Sequence, residues 1–292
     1  MIQYLKNNEI DIEKYDNCIK SSLNSRIYAF SWYLNIVADN WDVLVLNDYE
    51  AVMPLPFLKR KRNFFLNKID QPPFCQQLGI FSNFEIYKEQ FEFFILSFLN
   101  MKPRSYNFNA FNFDTIDVIK NKINGKINFE LSLIDTYDFI KENYSKNLKR
   151  NISKAKKSDL KVIKGVSLQN LISLKKVSVN HKIPIRNLNK LEKLIQELTS
   201  RNLGFIYGTY LKEELVSASF LINYNKRLIH LFSANTEKGK IYGGISLLFD
   251  TIIQQHITEN EIFDFEGSMI PGVAKFFRSF GAKQINYFSF KN

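Results

Sequence analysis

Apolar residues along the second half of the chain repeat with two different periods. Residues 204–210, 214–223 and 227–234 are rich in β-branched and aromatic side chains and are separated by tight turns. This pattern predicts three strands of an antiparallel meander. From Ile245 to Ile253 the apolar residues instead recur at i, i+3, i+4, i+7 and i+8, which predicts a helix directly after the meander.

The same reasoning predicts the elements on either side of the meander. Before it lie a strand at 161–164 and two helices at 168–181 and 188–201. After the long helix come a strand at 262–265, a short helix and a last strand at 285–290. The predicted order of this half is therefore β-α-α-β-β-β-α-β-α-β.

The first half is predicted to mix helices and strands in a similar way. Helical spacing marks 28–39 and 84–100, and a charged helix is predicted at 115–122. Strands are predicted at 42–46, 50–57, 64–69, 104–108 and 128–133. Pro54 and Pro56 lack an N–H donor, so we expect the strand that contains them to end at a sheet edge.

The length of the chain suits two domains. It has 292 residues, of which 45% are hydrophobic and 15% aromatic, so that it can bury substantial cores. Two domains of about 150 residues each are typical of such a length. We predict an α+β fold with a first domain at 1–135 and a second at 136–292.

The formal net charge of +11 suits a polyanionic partner, and its clustering is more informative than its total. Residues 145–165 hold eight lysines and arginines against one carboxylate. In the helix predicted there, Leu148, Ile152 and Ala155 form a narrow buried stripe, while Lys149 and Arg150 lie on the basic face. The one-sided charge favours phosphate binding over an ordinary solvated face.

Cysteine and histidine give no support to a metal site or to a covalent nucleophile. Cys18 and Cys75 are far apart, and His181, His230 and His256 are scattered. We expect His230 to be a strand residue with satisfied hydrogen bonds and His256 a partly buried helix residue. No apolar run is long enough to span a bilayer, and the N-terminus lacks a signal core. We therefore expect a soluble, reducing, cytoplasmic protein.

A polar cleft is predicted around residues 262–282. Period-two alternation sets Asp264 and Glu266 on the face of the strand opposite Phe263 and Phe265. Arg278 follows on the short helix, and acidic groups at a strand's carboxyl end beside a turn are a common way to build a cleft. The alternative is that both carboxylates cap the turn and pair with lysines.

Two further stretches hold candidate binding residues. The loop 72–79 is held extended by two prolines and displays Gln76 and Gln77, either to contact a polar substrate or as a plain structural loop. Gly243 and Gly244 precede the helix after the meander, and a helix N-terminus after glycines is a natural phosphate or oxyanion site. Asn235 and Tyr242 are predicted to line the same cleft.

Three stretches together resemble the FemABX peptidyltransferases and their GNAT-like relatives. They are YSKNLKRNISKAKK (144–157), the meander end LFSANTEKGKIYGGISLL and FDFEGSMIPGVAKFFRSFGA. The resemblance implies two tandem GNAT-like domains, the first degenerate, each a mostly antiparallel mixed sheet flanked by helices. It also implies transfer of an amino acid from aminoacyl-tRNA, bound through helix 146–157, to a muropeptide or another small acceptor.

The chain departs from both family motifs. The closing motif of FemABX proteins often reads Phe-Lys-x-x-Phe-Gly, and here Phe277 replaces the lysine, with Arg278 next along. The pyrophosphate loop of GNAT enzymes is matched only by 240–245, with Lys240 first and bulky Ile245 last. Two alternatives therefore stay open: a CoA-dependent N-acyltransferase, and a non-catalytic binding protein for RNA or the cell envelope.

Acyl transfer to an amine requires deprotonation of the amine, donors for the oxyanion and a proton for the leaving group. It requires no covalent nucleophile and no tightly bound cofactor, because the donor is a co-substrate, either aminoacyl-tRNA or acyl-CoA. We predict that Asp264 or Glu266 orients or deprotonates the acceptor amine. Arg278 would stabilise negative charge, and Lys149 and Arg150 would hold the donor.

Overall fold

The computed structural model describes residues 2–59, 68–112, 122–178 and 184–292. Most of the strand predicted at 64–69, nearly all of the helix predicted at 115–122, and His181 lie outside these ranges. The chain divides into two compact units, residues 1–126 with 286–292, and residues 127–285.

The first 122 residues contain two strands and an α-helix that the sequence analysis did not predict, at residues 2–5, 81–82 and 12–21, beside the predicted elements that the structure describes. In chain order the elements are β1 (Ile2–Leu5), α1 (Ile12–Ser21), α2 (Ser31–Val37), β2 (Asn40–Leu46), β3 (Ala51–Leu58), β4 (Lys68–Ile69), β5 (Phe81–Ser82), α3 (Lys88–Asn100) and β6 (Ser105–Phe108). Asp11 begins α1 by accepting a hydrogen bond from the backbone N–H of Lys14 at 3.1 Å, a normal N-cap.

The remaining elements include the short helix α8, which was not predicted. They are β7 (Ile123–Ser132), α4 (Tyr137–Glu142), α5 (Lys146–Lys157), β8 (Leu160–Lys164), α6 (Leu168–Val177), α7 (Ile185–Ser200), β9 (Gly204–Leu211), β10 (Glu214–Tyr224), β11 (Arg227–Asn235), α8 (Glu237–Tyr242), α9 (Gly244–His256), β12 (Ile262–Asp264), α10 (Pro271–Arg278) and β13 (Lys283–Lys291). Apart from α8, the predicted order β-α-α-β-β-β-α-β-α-β is confirmed.

In the first unit, the strands run in the order β1-β2-β3-β4, and β5 also pairs with β3. β3 therefore has neighbours on both sides, and the expectation that its prolines mark a sheet edge is wrong. The reason is local: β5 pairs only with Ala51 and Val52, and β4 only with Phe57 and Leu58. Pro54 and Pro56 fall between these two short pairings, so neither has to donate to a neighbour on that side.

The second unit is built on strands in the order β7-β12-β11-β10-β9-β8. β11 and β12 are parallel, whereas the other neighbours in this order are antiparallel. Residues 130–132 of β7 pair with β12, and residues 288–291 of β13 pair with β6 in the first unit. The two compact units meet between residues 126 and 127. This division does not test the predicted domain bounds, 1–135 and 136–292, which stay a prediction.

The core of the second unit lies where α5, α9 and α10 pack on the sheet. The predicted stripe of α5, Leu148, Ile152 and Ala155, is buried in this core, as is most of α9. α6 and α7 pack against β9, β10 and β11 outside this cluster. Two layers of helices around one sheet explain why the middle of β10, residues 216–222, is buried without interruption.

Among the described residues, no helix is both long enough and apolar enough to cross a bilayer. The same part of the chain holds no group of three or more His, Cys, Asp or Glu arranged to bind a metal ion. Cys18 and Cys75 are buried free thiols.

Candidate functional site

The parallel strands β11 and β12 share a short pairing that joins Arg227–Ile229 with Ile262–Asp264, because β12 ends at Asp264 while β11 continues to Asn235. On the other side of β12, the N–H of Phe265 donates to the carbonyl of Phe129 at 3.0 Å and extends the antiparallel pairing with β7 by one residue. Ligands in open α/β sheets commonly bind beyond the carboxyl ends of parallel strands.

A cavity of about 480 Å³ lies nearby, between the first half of α5 and α10. Its polar lining comes from Ser145, Asn147, Asn151, Lys275, Arg278 and Ser279. Leu148 and Phe276 supply apolar walls, and no carboxylate is among the described residues that line it. The lining thus combines these apolar walls with two cations, Lys275 and Arg278, and with amide and hydroxyl groups.

The first turn of α5 is fixed beside the last turn of α10 by the backbone. The N–H of Ser145 donates to the carbonyl of Ser279 at 2.8 Å. The Ser145 hydroxyl then caps α5 by accepting from the N–H of Leu148 at 3.2 Å. Gly281 follows with φ of +80°, and a Cβ there would lie 3.1 Å from the Asn143 side chain. These contacts hold together the two helix ends that border the cavity.

Both cations on α10 are exposed. The guanidinium carbon of Arg278 lies 5.4 Å from the ring centre of Phe129, which holds it by a cation–π contact. Lys275 lies three residues earlier, one turn back along the same helix face. The predicted Arg278 therefore lines the cavity, together with Lys275, which the sequence analysis missed.

Asp264, by contrast, is buried in a network of ion pairs. One carboxylate oxygen accepts from Asn128 Nδ2 at 3.0 Å and from the N–H of Glu266 at 2.9 Å. The other accepts from Arg227 at 2.9 Å, and Arg227 also pairs with Glu130 at 2.8 Å. Burial opposes the charge of Arg227, but the two carboxylates outweigh it and raise the guanidinium pKa. The network joins β7, β11 and β12.

Glu266 does not share the strand geometry of Asp264. β12 ends at Asp264, and Glu266 has a left-handed φ of 56° and is only partly buried. The period-two alternation that placed both carboxylates on one face therefore stops before Glu266. The catalytic roles of Asp264, Glu266 and Arg278 stay predictions.

Phe277, at the position of the family lysine, is part of the core. Its ring stacks on Phe265 at 5.0 Å between centres and lies 6.1 Å from both Phe129 and His230. A charged amine at this buried position would lose its solvation without gaining a carboxylate. Arg278 is exposed, so it does not reproduce the position of that lysine.

His230 differs from its expected state. Its Nδ1 lies 3.3 Å from the carbonyl of Phe265, but Nε2 is buried and has no hydrogen-bond partner in the part of the chain that the structure describes. Burial among Phe249 and Phe277 lowers the pKa of His230 to about 4, so the imidazole is neutral. The expectation of a fully satisfied histidine is wrong. His256 is buried in α9, as predicted.

The two predicted basic residues of α5 are exposed and contact the helix ends around them. Lys149 Nζ donates to the carbonyl of Glu142 at 2.9 Å and so caps α4. Arg150 donates to Asn147 Oδ1 at 3.1 Å. Because Asn147 lines the cavity, Arg150 lies at its border, whereas Lys149 is turned to α4.

The glycines before α9 serve close packing. Gly243 has φ of +75°, and a Cβ there would lie 2.8 Å from the carbonyl oxygen of Asn151 on α5. A Cβ at Gly244 would lie 2.4 Å from the Ser217 hydroxyl. The α8–α9 junction is therefore closely packed against α5 and β10 at these two glycines, and the binding of a donor phosphate there stays a prediction.

Asn235 is the last residue of β11, just before α8, and Tyr242 is the last residue of α8. Asn235 Oδ1 accepts from the Ser217 hydroxyl at 2.8 Å, and its backbone N–H and carbonyl both bond to Ser178. Tyr242 is half-buried and packs against the core. Their predicted contact with substrate is not tested by these bonds and stays a prediction.

Gln76 and Gln77 belong to the first unit. Gln77 is buried, donates to Gln76 Oε1 at 2.6 Å and accepts from the N–H of Ala110 at 3.3 Å. The backbone carbonyl of Gln76 accepts from Asn107 at 2.8 Å. These bonds fasten the loop to β6 and the turn after it, and a substrate contact by either residue stays a prediction.

No protein-family model and no curated protein matches the sequence. Solved structures do match. FemX is 10% identical with a TM-score of 0.69, over 99% of this chain and 97% of that one. The C-terminal domain of a putative lysylphosphatidylglycerol synthetase from Agrobacterium fabrum is 9% identical with a TM-score of 0.61, over 97% and 92%.

A tandem GNAT protein from the clavulanic acid biosynthesis pathway is 8% identical with a TM-score of 0.53, over 99% of this chain and 98% of that one. At these identities the likeness concerns the fold. It extends over nearly the whole of each chain, so both halves take part in it. The chain therefore has the FemABX/GNAT-like fold, with two GNAT-like domains in tandem.

Proposed function

We propose that this protein is an aminoacyl- or acyltransferase that moves the acyl group of a phosphate-bearing donor onto an amine. The observation that carries the proposal is the cavity between α5 and α10, with Lys275 and Arg278 in its lining and no carboxylate among its described lining residues. The fold supports the same reaction class, because FemX and GNAT proteins share it.

The reaction needs positioning more than a covalent group. The acceptor amine attacks the carbonyl carbon of the donor ester, and an amide bond forms as the ester bond breaks. The amine loses a proton, and the leaving ribose hydroxyl gains one. Glu266, which does not itself line the cavity, is the carboxylate that we propose to orient the amine, since Asp264 is buried and accepts three hydrogen bonds. Lys275 and Arg278 hold donor phosphate or the developing negative charge.

Aminoacyl-tRNA is the donor that we propose. The α8–α9 junction is packed against Asn151 of α5, which disfavours a CoA diphosphate there. The exposed cations of α5, with Arg150 beside the cavity, suit a polyanion instead. The acceptor would be a muropeptide precursor of the cell wall, in keeping with the likeness to FemX.

A transfer assay tests the proposal. The purified protein is incubated with radiolabelled aminoacyl-tRNA or acyl-CoA and with UDP-linked muropeptides, and the amide product is quantified. We expect product from aminoacyl-tRNA, and a fall in kcat/KM of about 100-fold in the double variant Lys275→Ala/Arg278→Ala. The matched control, Lys161→Ala/Lys176→Ala, removes two exposed lysines outside the cavity lining and should retain activity. The same kcat/KM in both double variants would contradict the proposal that the cavity between α5 and α10 is the active site.

One observation favours a second candidate, a non-catalytic binding protein. Phe277 fills the family lysine position with a buried ring, so a group on which FemABX enzymes depend is missing here. Under this alternative, the protein would bind RNA with an affinity that falls steeply with salt. The transfer assay would then give no product with any donor.

A further inference from the structure

Four consecutive residues without a polar side chain lie at the start of α10, two before the helix and two in its first turn. They are Met269, Ile270, Pro271 and Gly272, and all four are exposed. Met269 is 61% and Ile270 43% exposed. Single exposed apolar residues are common on protein surfaces, but a contiguous run at a turn indicates an interaction site. We call residues 269–272 the apolar tip.

The apolar tip has a defined conformation. The N–H of Ile270 donates to the Ser268 hydroxyl at 3.1 Å, and the carbonyl of Ile270 accepts from the N–H of Ala274 at 3.0 Å. Pro271 begins α10 at a position where no N–H donor is needed. Ala274 and Phe277 bury the other face of the helix. The apolar tip is therefore presented by a helix that is anchored in the core.

Two cations follow the apolar tip on α10, and the carboxylate nearest to the tip in sequence is Glu266, three residues before Met269. Lys275 and Arg278 follow on α10, and residues 267–292 contain no Asp or Glu. Across the cavity lies α5, and residues 143–158 also contain no Asp or Glu. Gly272 of the tip and Asn147 of α5 line the same cavity, so the two basic elements flank one opening.

We infer that the apolar tip and the cations beside it dock the protein on an anionic lipid surface. Met269 and Ile270 would enter the boundary between headgroups and acyl chains, while Lys275 and Arg278 contact lipid phosphates. Aliphatic side chains favour lipid over RNA as the partner, because they offer no flat ring on which a base can stack.

This inference does not depend on the proposed function. Docking requires only the apolar tip and its charges, whether or not acyl transfer takes place. If transfer does take place, Gly272 puts the mouth of the cavity at the lipid surface, where an acceptor carried by a membrane lipid would meet it.

Vesicle sedimentation tests the inference. Wild-type protein is mixed with phosphatidylcholine vesicles that contain either no phosphatidylglycerol or about 30% of it. We expect binding only to the anionic vesicles, and an affinity about tenfold lower for Met269→Ser/Ile270→Ser. The matched control is Ile134→Ser/Val177→Ser, which removes two exposed aliphatic residues elsewhere in the second unit and should bind as wild type.

A fluorescent label reports insertion directly. Cys18 and Cys75 are buried, so an environment-sensitive dye will react at the introduced thiol of Met269→Cys, with Val177→Cys as the control. We expect a blue shift on anionic vesicles at position 269 only. Three results would overturn the inference: no binding to anionic vesicles, equal loss in the two double-serine variants, or binding of RNA without binding of vesicles.

Discussion

At the scale of single residues, the charged side chains divide into a buried network that holds strands together and exposed cations that line the cavity. Asp264 accepts from Asn128, Arg227 and the N–H of Glu266, and its neighbour Glu130 shares the same arginine. Arg278 is exposed above Phe129 and lines the cavity. Sequence alone names both as charged residues near a turn, but burial and partners separate their roles.

Asp264→Asn should therefore lower stability. The substitution removes one of two charges that compensate buried Arg227, and we expect a loss of about 2–4 kcal/mol in the free energy of unfolding. Urea titration measures it. Glu261→Gln is the control, because it breaks only the exposed pair with Lys226 and should leave the free energy of unfolding nearly unchanged. If Asp264→Asn left the stability unchanged but abolished transfer activity, the result would favour a catalytic role for Asp264.

At the scale of elements, hydrophobic periodicity predicted the type and order of nearly every strand and helix in the second half. It missed α8, because Glu237–Tyr242 is short, polar and contains a glycine. It also could not predict the cavity. Ser145 and Asn151 lie more than 120 residues before Lys275 and Arg278, and only the packing of α5 beside α10 brings them together. Local sequence patterns are sufficient to predict the helices and strands, whereas the cavity depends on a contact between residues that are far apart in sequence.

The α8–α9 junction gives a sharp test of that packing. Gly243→Ala would place a methyl group 2.8 Å from the Asn151 carbonyl, in a left-handed conformation. We expect a loss of about 2–4 kcal/mol in the free energy of unfolding, from backbone strain and from the collision. Gly165→Ala is the matched control, because it has φ of +94° but nothing within 4 Å of its Cβ. If both variants lose the same stability by thermal or urea unfolding, α5 does not press on Gly243.

At the scale of the whole molecule, the fold persists where sequence identity has nearly vanished. FemX aligns over 99% of this chain at 10% identity, and a tandem GNAT protein does so at 8%. The shared fold therefore does not identify the acyl donor. Its identity depends on which residues lie at the helix ends where a donor would bind. Here the α8–α9 junction, where GNAT enzymes carry their pyrophosphate loop, is packed against α5, while basic groups line α5 and α10.

The choice of donor can be measured on the intact protein by ligand-induced stabilisation. A ligand at 100 times its dissociation constant raises the free energy of unfolding by about 2.7 kcal/mol, which is visible as a higher Tm. We expect a clear rise with aminoacyl-tRNA at low salt, which fades as salt increases because phosphate contacts release counterions. Acetyl-CoA should leave the Tm unchanged, because Asn151 of α5 covers Gly243.

The charge-reversed variant Lys149→Glu/Arg150→Glu should lose the rise in Tm with aminoacyl-tRNA, and the control Lys161→Glu/Lys176→Glu should keep more of that rise. A rise with acetyl-CoA that persists at high salt would instead make CoA the donor and require α5 to move away from the junction.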